Sequence, residues 1–566
     1  MRPVANWLKY FALVHVREWR RGDLRVRAID LYAGIGGWSL GLRLAGVEVV
    51  ASYEWWQPAV DTHNGNHGGT LKTIDVRQLR LKDLPSNIDL VVGSPPCTEF
   101  SYSNRGGGGD LDEGLKDLVR FLEVVEHLKP KFWALENVPR VAHVLERGMS
   151  DAKHPLYRFR GLGMQIETID FSDYGTPQSR RRCIAGNIPF DLIKTYRPRL
   201  PRRTLGDVVK AIAANGDVVD PVWGCVLPSA KVTERETEGT LNAEELRMNR
   251  EAKTYHPVYN NMSFPDVMNL PARTVTATCT RVSRESIVIG NEARGFRRLS
   301  IRERACLQGF PITYQFYARS FPEKAKMVGN AIPPTFTYLI AKAAQDVSAE
   351  DLVPYAQAGL SLRRPKAAAQ VTPPTTEGRT YPAGRSFRAA LPGLRFKSGM
   401  RFELANGRGQ EQDWQVRFFF GPSIDIREIV LDGDLLRELR KSPLMRSLMM
   451  ALGVDFANAS QLLQSSTPDD LQAAWSHRSD GLGPYQVADL LGELADKVHQ
   501  RLLSAPTDEQ HAVIGYVMEA AAQGEEGDDI PGSKKLTTHA LPILSGLLVG
   551  AWFNTLPWHR LQKAMA

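Results

Sequence analysis

The chain has 566 residues, 43% of them hydrophobic and 24% charged, with a formal net charge of +8. The length exceeds what one hydrophobic core supports, so we expect about two to four domains, and the composition excludes a wholly disordered protein. Five cysteines without a CxxC pair exclude a disulfide scaffold and a cysteine zinc site, which indicates a reducing compartment. Residues 1–350 hold 48 Lys and Arg against 39 Asp and Glu, as expected of an enzyme that binds a polyanion.

The N-terminal extension, residues 1–27, has no signal-peptide cleavage pattern, and no motif of the sequence indicates a metal site. The longest apolar run, residues 540–553, is too short to cross a bilayer and predicts a buried helix. We therefore expect no membrane partner and a cytoplasmic location, at the nucleoid if the source is bacterial.

Residues 28–189 alternate short apolar strands with helical stretches. Strands are predicted at 26–31, 47–53, 90–92, 132–135 and 182–185, and helices at 38–45 and 115–128. This alternation predicts an α/β fold with a doubly wound, mainly parallel sheet. Residues 190–285 lose the periodicity and predict a small irregular domain. Residues 286–350, with helices at 300–308 and 334–347, return to the large domain.

The C-terminal part differs in composition. Residues 351–384 predict a linker, 385–432 a basic β-rich module with strands at 395–404, 414–420 and 424–431, and 433–566 an acidic, mostly helical domain. Residues 361–450 carry 16 basic and 9 acidic side chains, whereas 451–566 carry 7 and 14. The basic module is a candidate for contacts with DNA phosphates, and the acidic part for docking on the enzyme body or on a protein partner. The alternative interpretation, a self-contained helical domain whose charges face solvent, fits this composition equally well.

A glycine-rich turn, DLYAGIGGWS from Asp30, closes the first predicted strand and opens a helix. Glycines let a backbone approach a ligand, and a helix N-terminus attracts an anionic group. At the end of the next strand, Glu54 can accept ribose hydroxyls and Trp55 can pack on a purine. Asp75 is placed to accept from an adenine amino group. Each feature alone is also compatible with a tight turn or a surface carboxylate, but together they predict an adenosine-type cofactor.

The run VVGSPPC predicts a buried strand, which the Gly-Ser-Pro-Pro sequence ends directly before Cys97. Open α/β sheets bind ligands beyond the carboxyl ends of their strands. The next strand ends at Glu136-Asn137-Val138, so the thiol and a carboxylate would share one pocket. The segment from Gln178 to Arg182 leads into a further strand and would add guanidinium groups. A lone cysteine is more often a small buried residue; the combination indicates catalysis.

In this order the motifs resemble those of the cytosine-C5 DNA methyltransferase family, over roughly residues 28–345. The resemblance extends to RLSIRERACLQGFP from Arg298 and GNAIP from Gly329. It implies methyl transfer from S-adenosylmethionine to C5 of a cytosine flipped out of double-stranded DNA, in a bacterial or phage restriction-modification or defence setting. The implied cofactor residues are Tyr32, Gly34, Ile35, Gly36, Gly37, Glu54, Trp55, Asp75, Pro96 and Asn330.

The resemblance also implies the catalytic roles. Cys97 would attack C6 as a thiolate, Glu136 would hold the N3/N4 edge of the base, Arg182 would brace O2 and Arg180 would support the pocket. A closing loop would cover residues 98–114, and residues 190–270 would recognise a short DNA site. Implied or candidate DNA contacts are Ser103, Arg105, Arg197, Arg199, Arg202, Arg203, His256, Tyr259 and Asn260.

The chain departs from the family pattern at several positions. The family often has an arginine just after the closing loop, where this chain reads Asp110-Leu-Asp-Glu113. Trp56 and Ala331 stand where an acid and a serine are frequent. None of these departures removes a catalytic group, although loop closure can differ.

Two other functions remain open. A tRNA cytosine methyltransferase of the same family is disfavoured because its Cys-Phe-Thr tripeptide is absent. A separate RNA methyltransferase class uses a Thr-Cys dipeptide, and Thr278-Cys279 exists here. This dipeptide lies in the strand that is predicted to lead back to the large domain from Pro271, so a packed cysteine is favoured over a nucleophile. A silent DNA-binding regulator is opposed by the intact Cys97, Glu136 and Arg182. If the resemblance stops near residue 345, a 1–356 fragment should fold and bind S-adenosylmethionine.

Overall fold

The computed structural model describes residues 26–69, 71, 73–96, 110–254, 262–373, 380–396, 399–407, 414–421, 425–522 and 530–556. It divides into two compact units. The first comprises residues 1–252 and 263–375, and the second comprises residues 253–262 and 376–566. The division after residue 375 falls inside the predicted linker.

The first unit is built on a six-stranded sheet with the order β2-β1-β3-β4-β6-β5. Its strands are β1 (Arg27–Leu31), β2 (Glu48–Tyr53), β3 (Leu90–Gly93), β4 (Phe132–Asn137), β5 (Gln165–Asp170) and β6 (Arg181–Gly186). Strands β2, β1, β3 and β4 are parallel, whereas β6 is antiparallel to both β4 and β5. The predicted doubly wound, mainly parallel sheet is confirmed. The sequence pattern missed β5, an edge strand that is mostly polar, with isoleucines only at positions 166 and 169.

Helices cover both faces of this sheet, because alternate strand residues point to opposite sides. Ala28 and Val92 pack with Trp38 and Leu339 on one face, and Ile29 and Val91 pack with the Phe121 helix on the other. The helices of the unit are α1 (Gly37–Leu44), α2 (Gln57–His67), α3 (Leu111–Leu128), α4 (Arg140–Ser150), α5 (Phe190–Tyr196), α6 (Leu205–Ile212), α7 (Ala243–Thr254), α8 (Ile301–Leu307), α9 (Phe321–Asn330), α10 (Pro334–Ala344) and α11 (Tyr355–Ala358).

Residues 190–285 are more regular than predicted. They contain α5, α6 and α7 with a short hairpin of β7 (Asp217–Val219) and β8 (Val226–Pro228), and a second hairpin follows, β9 (Val288–Asn291) and β10 (Gly295–Arg298). A capping box between Thr204 and Asp207 starts α6. The sequence pattern did not predict these helices, because α5 and α6 have only seven and eight residues, too few for a clear apolar periodicity, and α7 is mostly polar.

The second unit has a four-stranded antiparallel sheet, β11 (Arg388–Arg395), β12 (Arg401–Asn406), β13 (Trp414–Phe420) and β14 (Arg427–Ile429). The predicted single strand over 395–404 is wrong, because the chain reverses and Arg395 pairs with Arg401. Gly399, at φ 87°, supplies the left-handed backbone near this reversal.

Eight helices follow the sheet within the described ranges. They are α12 (Gly433–Lys441), α13 (Pro443–Ala451), α14 (Gly453–Gln464), α15 (Pro468–Trp475), α16 (Pro484–Leu503), α17 (Thr507–Ala522), α18 (Ser533–Thr538) and α19 (Ala540–Asn554). The apolar α19 is buried, as predicted, with Gly546 close against Phe402 of β12. Within the described ranges, no helix combines the length and the apolar character needed to span a membrane.

Candidate active site

The glycine-rich turn leaves β1 through three left-handed residues, Tyr32, Gly34 and Gly36, at φ 54°, 53° and 90°. A Cβ on Gly34 would meet nothing within 4 Å, so the backbone there borders open space. A Cβ on Gly36 would lie 2.5 Å from Nε2 of His67, which explains why this position needs glycine. The turn therefore offers a concave backbone surface at the carboxyl edge of the sheet.

Glu54 and Trp55 stand beside this turn, at the end of β2. The buried Glu54 carboxylate accepts the amides of Gly34 at 2.8 Å, Trp55 at 2.9 Å and Trp56 at 2.8 Å. Burial raises the pKa of Glu54, while these backbone hydrogen bonds oppose the shift. A carboxylate has about four acceptor positions, so about one remains, on Oε2. With these three hydrogen bonds in place, Glu54 can accept one ribose hydroxyl, whereas the sequence predicted that it would accept both.

An exposed aromatic ring and a second carboxylate extend the same edge. The Trp55 side chain is 60% exposed, as a stacking surface requires. Strand β2 continues into an isolated bridge between Glu54 and Thr73, which brings Asp75 to the same end of the sheet. Asp75 accepts the amide of Arg77 at 2.9 Å. An exposed aromatic ring and a carboxylate acceptor are the groups that the predicted adenosine contact requires.

Other residues of the predicted cofactor set occupy different surroundings. Ile35 is buried, and its carbonyl accepts the Tyr314 hydroxyl. Gly37 faces Ile332, whose carbonyl oxygen would lie 2.2 Å from an added Cβ. Both positions therefore serve close packing of the turn. Asn330 is exposed at the end of α9, and Pro96 is exposed at the last described residue before Cys97.

The predicted Glu and Arg residues meet at the ends of β4 and β6. Nε of Arg182 lies 3.0 Å from Oε1 of Glu136, and the two side chains are only 14% and 5% exposed. Asn137, next to Glu136, donates to the carbonyl of Pro95 at 3.1 Å. The segment that leads into Cys97 is therefore bound directly to the strand that carries Glu136.

Arg180 is buried and donates to backbone carbonyls of two other segments. Its guanidinium contacts the carbonyls of Val275 at 3.1 Å, Gly329 at 2.9 Å and Ala331 at 3.3 Å. Sequence reasoning had no role for Gln178, which accepts the Val275 amide at 2.6 Å. These two side chains join the Glu136–Arg182 region to the segment around Val275 and to the end of α9. The predicted strand that returns to the large domain here is wrong, because this segment forms only an isolated bridge between Gln178 and Ala272.

The candidate DNA contacts divide into three groups. Ser103, Arg105, His256, Tyr259 and Asn260 lie outside the described residues, as does Cys97. Arg202 is exposed. Arg203 corrects the prediction: its guanidinium donates to the carbonyls of Pro221 at 2.9 Å and Gly175 at 3.0 Å, so it is engaged in the fold rather than offered to a phosphate.

A buried polar cluster underlies the glycine-rich turn. Ser39 donates to Asp30 at 2.7 Å and lies 3.1 Å from Nε2 of His63, whose ring is 4.6 Å from that of His67. Burial lowers the pKa of His63 to about 4 and that of His67 well below its usual value. Burial also raises the pKa of Asp30 to about 7. Sequence reasoning missed this cluster, since histidines of a helix carry no local sign of burial.

We predict that His63 makes the protein less stable in acid. Unfolded His63 binds a proton below about pH 6.5, whereas the folded form stays neutral until about pH 4. Above about pH 6.5 neither form of His63 binds a proton, so its titration costs no stability. As the pH falls from 6.5 toward 4, only the unfolded form is protonated, and the free energy of unfolding decreases. Between pH 6.5 and 5 this loss is about 2 kcal/mol.

The test compares the pH dependence of the variant with that of the wild type. This comparison is needed because the raised pKa of Asp30 makes the folded protein more stable as the pH falls over part of the same range. Denaturant unfolding at pH 7.5, 6 and 5 should show a smaller acid loss for His63→Gln than for the wild type. The control is His143→Gln, whose side chain is 87% exposed on α4. Equal pH slopes for all three proteins would contradict the prediction.

These features define an α/β fold that has a glycine-rich turn and candidate binding side chains at the carboxyl edge of its sheet, where folds of this kind bind ligands. The chain belongs to the C-5 cytosine-specific DNA methylase family, whose model matches residues 26–346. It is a DNA cytosine-C5 methyltransferase, and the predicted family and enzyme class are confirmed.

Two relatives illustrate the match. The Type II methyltransferase M.FnuDI of Fusobacterium nucleatum is 27% identical over 330 residues, covering 56% of this chain and 93% of that protein. The Type II methyltransferase M.NgoPII of Neisseria gonorrhoeae is 27% identical over 336 residues, covering 56% and 95%. A solved structure, the methyltransferase EhMeth of Entamoeba histolytica, is 15% identical and covers 57% of this chain and 98% of its own, with a TM-score of 0.42.

Proposed function

We propose that the enzyme links Cys97 covalently to C6 of a cytosine in a specific duplex site and uses S-adenosylmethionine as its methyl donor. The observation that carries the proposal is the Glu136–Arg182 pair, 3.0 Å apart at the ends of neighbouring strands. The Asn137–Pro95 hydrogen bond holds the approach to Cys97 against the same strand end. The Cys97 thiol would join this carboxylate and this guanidinium at the same strand end.

We assign the cofactor to the part of the sheet edge formed by the ends of β1 and β2, away from Glu136 and Arg182 on β4 and β6. Trp55 would stack on the adenine, Asp75 would accept from its amino group, and Glu54 would accept a ribose hydroxyl with its remaining Oε2 position. The open backbone at Gly34 would border the amino-acid part. When bound, S-adenosylmethionine supplies an electrophilic methyl group.

The chain's own residues prepare the base for that methyl group. The Cys97 thiolate forms a bond to C6, and the electron pair of the C5–C6 double bond becomes available at C5. Glu136 would accept from the N4 amino group and share a proton at N3, while Arg182 would hold both Glu136 and O2 of the base. After C5 is methylated, a base removes the C5 proton and the thiolate leaves, which restores the double bond.

These side chains approach a base from the strand ends, so the cytosine must leave the stack to reach them. The relatives are Type II methyltransferases, which supports a restriction-modification or defence setting for this chain. A short target site is expected, because the segment between β6 and α8 is small.

The second unit is proposed to add DNA contacts or to bind a protein partner. Ion pairs within its sheet neutralise part of the sheet's basic charge. Arg388 and Arg401 both pair with Glu403, and Arg417 pairs with Glu428. Phosphate contacts from this face would therefore be few. The acidic helices that follow are better suited to a protein surface than to DNA.

The test of the function is methyl transfer from labelled S-adenosylmethionine, followed by sequencing of the methylated DNA. We expect 5-methylcytosine at one short sequence in duplex DNA. Purified tRNA serves as the competing substrate. Label on tRNA alone, or label on DNA at an atom other than cytosine C5, would overturn the proposal.

A further inference from the structure

A tyrosine from the segment between α8 and α9 contacts the glycine-rich turn. The Tyr314 hydroxyl donates to the carbonyl of Ile35, the residue between the two left-handed glycines of the turn. This bond fixes the planar peptide unit between Ile35 and Gly36. The oxygen of the same hydroxyl lies 3.2 Å from Nε2 of His67, the last residue of α2. The turn is therefore in contact with two elements that are distant from each other in sequence.

The direction of these hydrogen bonds follows from the donors that are present. A tyrosine hydroxyl has a single hydrogen and a carbonyl can only accept, so the Tyr314 hydrogen goes to Ile35. Burial raises the pKa of Tyr314, so the hydroxyl keeps this hydrogen at neutral pH. Nε2 of His67 must then donate to the Tyr314 oxygen. Because this nitrogen would also lie 2.5 Å from a Cβ on Gly36, His67 fills the space directly against the turn.

The composition of the turn explains why it needs such support. Three of the four residues from Gly34 to Gly37 are glycines, and glycine adopts left-handed and right-handed φ values about equally. Tyr32 also has a left-handed φ of 54°, which a residue with a side chain disfavours. A ligand that requires one conformation of this backbone binds more weakly when the free protein samples others.

We propose that Tyr314 and His67 are positioning residues that hold the glycine-rich turn in the conformation that binds S-adenosylmethionine; this inference rests on the proposed use of the turn as the cofactor site. Tyr314 is only 3% exposed, so it acts through the Ile35 carbonyl and not by touching the ligand. The two side chains therefore determine the affinity for the methyl donor and leave the chemical step unchanged.

The packing around Tyr314 is expected to survive the loss of its hydroxyl. Asn66 of α2 donates to the carbonyl of Gln315 at 2.7 Å and accepts the amide of the same residue at 2.9 Å. The amide of Tyr317 donates to the Thr62 hydroxyl at 2.9 Å. These three bonds keep the segment against α2 in Tyr314→Phe, which also retains the aromatic ring.

The matched control is Tyr338→Phe. The Tyr338 hydroxyl also donates to a backbone carbonyl, that of Val353 at 2.9 Å, and the side chain is buried in the same unit. Each variant loses one hydroxyl and its hydrogen bond to a carbonyl, but only the bond from Tyr314 reaches the turn. A difference in cofactor affinity between the two variants therefore measures support of the turn and not a general loss of stability.

The experiment measures the dissociation constant of S-adenosylhomocysteine by calorimetry, and KM for S-adenosylmethionine and kcat on unmethylated duplex DNA. Tyr314→Phe should raise the dissociation constant and KM about 10-fold, because a carbonyl and an imidazole lose their partner, with kcat within about twofold. Tyr338→Phe should leave all three quantities within about twofold of the wild type. Destabilisation alone would lower kcat by reducing the active fraction and would leave KM unchanged.

His67 gives a second test, through the position of its donor. In His67→Gln the side-chain amide can occupy the place of Nε2, whereas the shorter side chain of His67→Asn cannot reach Tyr314. His67→Gln should bind S-adenosylhomocysteine within about threefold of the wild type, and His67→Asn about 10-fold more weakly.

Equal affinities in Tyr314→Phe and Tyr338→Phe would overturn the inference, as would a fall in kcat with an unchanged KM in Tyr314→Phe. Equal weakening in His67→Gln and His67→Asn would contradict the role of Nε2. A wild type that does not bind S-adenosylhomocysteine would instead overturn the proposed cofactor.

Discussion

Cys97→Ser should lower methyl transfer more than about 1,000-fold, because a hydroxyl at this position lacks the nucleophilicity of a thiolate. With S-adenosylmethionine present, the wild type should also form a stable covalent adduct with DNA that contains 5-fluorocytosine, because after methyl transfer no base can remove fluorine from C5 as it removes a proton. Gel mobility under denaturing conditions and mass spectrometry of the linked peptide identify the adduct. The linked residue should be Cys97.

The chain offers a matched control for this prediction in Cys279, the residue of the Thr278-Cys279 dipeptide. Burial alone would raise its pKa, but Arg304 and Arg298 outweigh burial and lower the pKa of the Cys279 thiol. Cys279 is thus the competing nucleophile on chemical grounds. Its Sγ lies 3.6 Å from Arg298 and 3.3 Å from Ser286, which points to a structural role.

Cys279→Ser should accordingly keep methyl transfer within about fivefold and form the adduct normally. If Cys279→Ser abolished the adduct while Cys97→Ser left it intact, the proposed mechanism would be wrong. Loss of cofactor binding in Cys97→Ser would show instead that this side chain is needed for the fold of the site.

The second large effect concerns where the methyltransferase unit ends. The expected 1–356 fragment would be cut inside α11, and it would lack a segment that the structure places on the first unit. In that segment, the carbonyl of Gln370 accepts from Lys324 at 2.5 Å and the amide of Thr372 donates to Glu234 at 3.0 Å. Lys324 and Glu234 form a fully buried ion pair at 2.6 Å.

A 1–375 fragment should therefore fold and bind S-adenosylhomocysteine, whereas 1–356 should be less stable by about 3 kcal/mol or more. Two hydrogen bonds to a buried charge pair account for this difference, since each is worth about 1.5–3 kcal/mol. Denaturant unfolding of both fragments measures it. A 1–356 fragment as stable as 1–375 would show that the segment contributes nothing to the first unit.

The 1–375 fragment also serves to measure the contribution of the second unit to DNA affinity. If that unit contacts phosphates, the salt dependence of the full-length protein is steeper by about one unit per contact. Identical slopes would leave a protein partner as the proposed role of the second unit.

The sequence by itself determined most of the sheet and identified the main groups of the candidate site. Mainly apolar runs of three to seven residues locate β1 to β4, and the motifs around Glu54, Glu136 and Arg182 are recognisable from a few adjacent residues. The prediction that Cys97 and Glu136 share one edge rests on the rule that neighbouring parallel strands end at the same edge of a sheet. This rule does not cover Arg182, because β6 is antiparallel to β4, and its pairing with Glu136 follows from that antiparallel arrangement.

Only the tertiary structure decided which polar side chains are already hydrogen-bonded or ion-paired within the fold. Arg202 and Arg203 are adjacent and alike in sequence, yet one is exposed and the other bonded to backbone carbonyls. Arg77 meets Asp117 from 40 residues away, and residues of the predicted linker cover a buried ion pair. Burial and hydrogen bonding depend on which distant segments pack together, and local periodicity carries no information about such partners.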